Sequence, residues 1–241
     1  MKHISLILVF LFALALPASA QDLSLSLGAD SSTATRSVQL IALITVLSLA
    51  PGLLMMITCF PFVVTVLAIL RQAIGLQQSP PNMLIVTLAL FLTYFVMEPV
   101  FLTSWANGVA PLIAEAIDIE EAFVRAIEPF REFMSNRIDP GTFEALASLR
   151  GDVDPGMAIP ESPLSVLVPS FLLSELERAF QIGFLIFLPF LIIDLVVAAV
   201  LMSMGMMMVP PAIVSLPFKL AFFVIADGWA LIAQSLVRSY L

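Results

Sequence analysis

Charge is what this sequence lacks most. Only 12% of its 241 residues are Asp, Glu, Lys or Arg, where a soluble domain carries about 25%. Residues 37–70, 72–97, 179–193 and 195–218 contain none at all. Together with 61% hydrophobic residues and a mean hydropathy of +1.08, this excludes an ordinary soluble domain. A membrane-spanning helix takes about 20 apolar residues, so the uncharged runs supply material for about four passes. Cysteine is almost missing. Cys59 stands alone and can neither close an internal disulfide nor build a metal cluster. Its apolar neighbours make it a small buried hydrophobe. The one histidine, His3, lies in a segment expected to be removed, which takes imidazole acid–base chemistry out of the mature chain. There is no Gly-x-x-x-x-Gly-Lys phosphate loop, so energy for any transport comes from elsewhere. The absence of a Ser–His pair, of an HExxH helix and of paired carboxylates on one face argues against an intramembrane enzyme. No catalytic residue, cofactor, metal or nucleic-acid partner is called for.

What is present is long and helical. Backbone groups in lipid must pair internally, which leaves helices or a closed barrel. The runs lack the period-two alternation of a barrel. The fold class expected is all-α: membrane-associated hairpins of apolar helices broken by proline. Lys2 and His3, the apolar run 4–16 and Pro17-Ala18-Ser19-Ala20 have the order of a cleavable secretory signal over residues 1–20. A polar leader follows over 21–37. A first broken apolar hairpin covers 38–113. There, Pro51-Gly52 and Pro61 predict a helix to about Ala50, a bend, and further helix to Leu70. A connector over 71–82 leads to a second helix over 83–97 that stops at Glu98-Pro99. Glu98 either snorkels at that helix end or faces a polar interface.

Residues 114–163 form an acidic segment, expected to be extracytoplasmic if the signal is cleaved. Residues 114–162 hold 11 acids and 4 arginines, a net −7 against −8 for the whole chain. The spacing predicts an amphipathic helix over 119–134, with Ile119, Phe123, Ile127, Phe130 and Phe133 on one face. A short turn is predicted over 144–150 and a loop over 152–163. No calcium-loop spacing appears among the acids, which makes them a solvated face. Residues 164–241 form a second hairpin, with an outgoing helix broken or kinked at Pro189 and a returning helix over 212–240.

At the tip of that hairpin Met202, Met204, Met206, Met207 and Met208 fall within seven residues. Gly205 frees the backbone there, and Pro210 and Pro211 prevent the outgoing helix from running on. Methionine is unbranched and polarizable, so the cluster reads either as apolar filling or as a soft seal. Asp194, Lys219 and Asp227 lie in apolar surroundings, where a charge is costly and defaults to a functional hypothesis. Structural pairing also satisfies them: Lys219 with Asp194 across the hairpin, or with Glu175 of a neighbour. Glu175 and Arg178 share a helix face at i,i+3.

Three stretches resemble the FliP family of flagellar export proteins, whose virulence counterparts belong to type III secretion systems. The first is Ser48-Leu-Ala-Pro51 continuing through Met55-Met56. The second is Leu70-Arg-Gln-Ala-Ile-Gly75, with Pro80-Pro-Asn82 and Ala89-Leu-Phe-Leu-Thr-Tyr-Phe-Val-Met-Glu-Pro99. The third runs from Pro169 to Leu220 through Pro189-Phe-Leu-Ile-Ile-Asp-Leu195 and Met202-Ser-Met-Gly-Met-Met-Met-Val-Pro-Pro211, and Asp227-Gly-Trp229 extends it. Two departures from the pattern stand out: Phe62 is where the family has Arg, and Glu177 and Arg178 are where it has Lys and Thr.

The resemblance implies a core subunit of the flagellar export gate, multi-pass in the bacterial inner membrane at the basal body. It implies a homo-oligomer of about five copies closed around an axis, joined by FliQ and FliR, with FlhA and FlhB completing the apparatus. Unfolded flagellar subunits pass through the central channel. Met206, Met207 and Met208 are then the gasket. Met202, Met204, Gly205, Pro210 and Pro211 support it, and Glu175, Arg178, Asp194, Lys219 and Asp227 make ion pairs or subunit contacts. The same resemblance allows a virulence export gate. A solute or ion transporter that uses Asp194 or Asp227, or a copper(I) transporter that uses the thioethers, are the rivals from other classes.

Overall fold

A computed structural model describes residues 33–240 except 77, 78, 152, 155 and 207. The expected signal over 1–20, the expected leader up to residue 32 and Met207 lie outside the described residues. Among those described there is no strand, and the chain is all-α. Contacts divide the described residues into two units, one up to Ala50 and one from Pro51 onward.

Helix α1, Thr33–Met56, begins inside the stretch expected to be a leader and runs through Pro51 without stopping. Its part Ser37–Met56 has a mean hydropathy of 2.1, and none of it is buried within the chain. The interruption comes later, at residues 57–59, where Thr58 Oγ1 accepts from the Phe60 amide at 3.3 Å. Pro61 then sits in the first turn of α2, Phe60–Ile74. A proline there forfeits no bond, because first-turn amides have no helical partner. Pro61 therefore starts a helix, whereas Pro51 merely leaves one carbonyl unpaired inside one. The expected bend at Ala50 is corrected accordingly.

Helix α2 is the central rod of the second unit. Phe62, Val63, Val66, Leu67, Leu70, Ala73 and Ile74 are all buried. It ends where Gly75 takes φ 90°, and its amide bonds Gln72 O, a left-handed turn that favours glycine. Helix α3, Asn82–Ser104, passes through Pro99 and continues into a π turn, Trp105–Val109, and a last turn, Ala110–Ile113. The expected stop at Glu98-Pro99 does not occur. Packing holds the helix beyond the proline: Ser104 donates to Ala126 O at 2.7 Å. Gly108 fits so closely against the next helix that a Cβ on it would lie 2.6 Å from Ala126 Cβ.

That next helix is α4, Ile119–Ser135, with α5, Pro140–Ser148, after it. Asp118 caps α4 by accepting from the Glu121 amide at 2.8 Å, and Asp139 caps α5 through the Thr142 amide at 2.8 Å. The Thr142 amide, then its hydroxyl, hold the Asp139 carboxyl below its ordinary range. The predicted apolar face of α4 is only partly covered. Phe130 is buried and Ile127 and Phe133 are half-buried, whereas Ile119 and Phe123 are 73% and 63% exposed. The first turns approach α3 through small Ala122 and Ala126 at Gly108, which leaves the larger side chains outside. A separate apolar core of Met134, Ile138, Phe143, Ala147, Val166, Leu167 and Phe171 seats the acidic segment on the following helix.

That helix, α6, is one piece from Leu164 to Ser203, 40 residues or about 60 Å at 1.5 Å per residue. Pro169 and Pro189 lie within it, so the chain is not broken at Pro189. The return is broken instead. Helix α7, Pro211–Ile225, and α8, Gly228–Arg238, meet at a 61° bend. Asp227 is left-handed there (φ 49°), and the Phe223 ring fills the space where a Cβ on Gly228 would sit, 2.2 Å away. Among the described residues, three helical stretches are long and apolar enough to cross a membrane: Ser37–Met56, Asn82–Ile113 and Leu164–Ser203. The bent pair makes a fourth if it counts as one span.

Candidate functional site

The methionine tip is built by the way α6 ends. The Met206 amide bonds Leu201 O and the Gly205 amide bonds Met202 O, each at 3.0 Å. With Gly205 at φ 75°, this is the Schellman arrangement that closes a helix on a left-handed residue. Pro210 then extends the chain and Pro211 opens α7. The thioethers are left outside. Met202, Met204 and Met206 are 61%, 66% and 42% exposed, and Met208 is 96% exposed. Behind them, between α6 and α7, lies an apolar cleft of about 550 Å³ walled by Ile192, Val196, Val200, Met204, Val214 and Phe218. No polar atom lines it. The tip is thus a sulfur-rich loop that its own chain does not cover.

Below the tip the hairpin is fixed by a buried charge. Lys219 on α7 is 5% exposed. Its Nζ donates to Asp194 Oδ2 on α6 at 2.6 Å and to Ala73 O on α2 at 3.1 Å. The Ser215 hydroxyl donates to Asp194 Oδ1 at 2.5 Å. One ammonium therefore ties both arms of the hairpin to the central rod. Gly75, in its left-handed turn, lies beside Leu216 and the Lys219 head.

A second buried charge sits farther along α6. Glu175 is fully buried and accepts from Arg137 Nε at 2.9 Å and from the Tyr240 hydroxyl. Arg178, its predicted neighbour, stands off at 3.7 Å. Arg137 also donates to Ser239 O at 2.8 Å and lies 4.0 Å above the Tyr240 ring. Burial first, then the Glu175 carboxylate, push the Tyr240 phenol above its ordinary pKa, so it remains a donor. The Asp139 amide bonds Ser174 Oγ at 2.9 Å on the same side. The cluster joins the acidic segment, α6 and the chain end.

Sequence reasoning missed Arg137 and Tyr240. Arg137 sits among many exposed charges, and nothing in its spacing marks it as buried. Tyr240 is one of only two tyrosines, a weak signal. Phe62 is wholly buried and meets the Tyr240 ring edge-on at 5.5 Å. Glu177 is exposed and accepts from Gln181 at 3.1 Å. Glu98 and Asp227 are exposed as well. Among the described residues, no group of three His, Cys, Asp or Glu could hold a metal ion.

The order of these features along the chain matches one known pattern. The sequence model of the FliP family fits residues 43–236, which include the methionine tip, the Lys219–Asp194 pair and the buried Glu175. This chain belongs to the FliP family. The flagellar biosynthetic protein FliP of Caulobacter vibrioides is 52% identical over 213 residues, covering 88% of this chain and 80% of that one. The Bacillus subtilis protein of the same name is 46% identical over 212 residues, covering 88% and 96%. That of Aquifex aeolicus is 46% identical over 205 residues, covering 85% and 86%.

Proposed function

We propose that this FliP-family chain is a core subunit of the flagellar protein export gate in the bacterial inner membrane. Copies of it, about five, close around an axis together with FliQ and FliR, next to FlhA and FlhB. Unfolded flagellar subunits pass along that axis. The methionine tips meet there and seal it.

The observation that carries this reading is the exposed thioether loop at the end of a 40-residue helix. A duct for unfolded protein must hold back ions yet admit any side chain. Flexible thioethers from several subunits fill an irregular gap and repack around cargo. A dry apolar constriction stops ions by dewetting. The Lys219–Asp194 pair at 2.6 Å holds the hairpin that presents the loop. The same pair disfavours a proton-coupled solute transporter, since Asp194 is already engaged by an ammonium and a hydroxyl. The names of the flagellar relatives support the flagellar over the virulence system.

The test replaces Met206, Met207 and Met208 with Gly in the assembled complex and measures ion leak and growth. The leak is expected to rise and growth to slow. Vesicles as tight as wild type contradict the reading.

A further inference from the structure

Arg71 is the only charged residue over 37–97, and neither the two buried ion pairs nor the tip uses it. A lone charge in apolar surroundings is costly and defaults to a functional hypothesis. Among the described residues its guanidinium meets no carboxylate. Nη1 donates instead to Pro80 O at 3.4 Å and to Asn82 Oδ1. Arg71 stands in the last turn of α2 and Asn82 in the first turn of α3, so one side chain staples the end of one helix to the start of the next. That same end of α2 receives the hairpin that carries the methionines. Two residues beyond Arg71, Ala73 O accepts from Lys219 Nζ at 3.1 Å. A Cβ on Gly75 would lie 3.6 Å from Leu216 and 3.9 Å from the same ammonium. Last-turn carbonyls have no partner within their own helix, and both cations sit where the helix dipole favours positive charge. The anchor lies close under the tip. Asp194 precedes Met202 by eight residues, and Lys219 follows Pro211 by eight, about 12 Å along each arm. Above it an apolar cleft separates the arms, so the anchor rather than packing between the arms sets where the tip points.

We propose that Arg71 is a positioning residue for the methionine gate. It holds the last turn of α2 against the start of α3. That fixes the Ala73 carbonyl, which holds Lys219, and so the angle at which the tip enters the constriction. The role rests on the gating function proposed above and names a residue that serves it from outside the hairpin. Without the staple the last turn of α2 is free to fray, and Lys219 loses a fixed acceptor while keeping Asp194. The hairpin stays folded, but its aim loosens. Asn82, as the side-chain acceptor of the staple, shares the role.

The test uses native membrane vesicles containing the full assembled complex, with Arg71→Ala, Asn82→Ala, the two together, or the conservative Asn82→Asp, which keeps an acceptor. Ion leak is measured per assembled complex. Arg71→Ala should raise it about fivefold, the low end of coupling between sites, and Asn82→Ala should raise it in the same direction. The double variant should leak no more than Arg71→Ala alone, because both changes remove one contact. Asn82→Asp should stay as tight as wild type. Alanine variants as tight as wild type, in vesicles where the Gly replacements at the tip do leak, overturn the positioning role and leave the gate standing. A double variant whose leak is the product of the two single effects overturns the staple. If Arg71→Ala does not assemble, Asn82→Ala against Asn82→Asp decides, and equal leaks from those two overturn the role. If the Gly replacements are also tight, the gating function fails and the positioning role falls with it.

Discussion

Lys219 shows how much one side chain holds. Its ammonium serves a carboxylate and a carbonyl on two other helices while almost fully buried. Removing one partner of such a pair strands the other, at a cost of about 3–5 kcal/mol. Asp194 keeps 32% of its side chain exposed, so water tempers the loss toward the lower figure. Lys219→Met should lower the melting temperature of the detergent-purified protein, and adding Asp194→Asn should recover part of the loss. A double variant no more stable than the single one contradicts the pairing. Tyr240→Phe removes one hydrogen bond to a buried carboxylate, worth about 2 kcal/mol. It should also loosen the chain end to proteolysis, with the helical content unchanged. Lys219 was legible in the sequence because a lone base among apolar residues needs an acid nearby. Arg137 was not, because its burial depends on a chain end that folds back from 102 residues away.

Prolines and glycines decide the elements, and the two behave differently here. The proline at residue 61 opens a helix, those at 51, 99, 169 and 189 lie within helices, and Gly75 and Gly205 end them. The sequence shows where a backbone donor is missing. It does not show whether packing on a neighbour outweighs that loss. That is why the helix class and the hairpin tip were readable, while the passage of α3 through Pro99 and the break in the return between α7 and α8 were not. The bend between α7 and α8 arises from a left-handed Asp227 and from the ring of Phe223, a contact invisible to periodicity. Gly108 tests the same idea by addition. An alanine there meets the Ala122 carbonyl at 2.7 Å and the Ala126 side chain at 2.6 Å. Overpacking of this kind costs about 2 kcal/mol, so Gly108→Ala should lower the melting temperature and hasten proteolysis between α3 and α4. An unchanged protein would mean that the two helices slide apart freely.

At the scale of the molecule, the chain presents far more apolar surface than it covers. Helix α1 from Ser37 has nothing buried, and Phe91, Phe180, Phe184 and Ile225 are all more than 60% exposed. Lipid and sister subunits are the covers that the proposed gate would supply. Composition made the need for a cover legible, but not which face would meet lipid and which would meet protein. Cys59 offers a direct probe of the central arrangement, because the only native thiol is fully buried. With Met208→Cys, the one accessible thiol sits at the tip. If the tips gather around a common axis, mild oxidation of membranes should yield disulfide-linked dimers of this variant, since Cα atoms must come within about 7 Å to bond. Monomers alone, from a thiol that still reacts with a water-soluble maleimide, would contradict a gate closed by methionine.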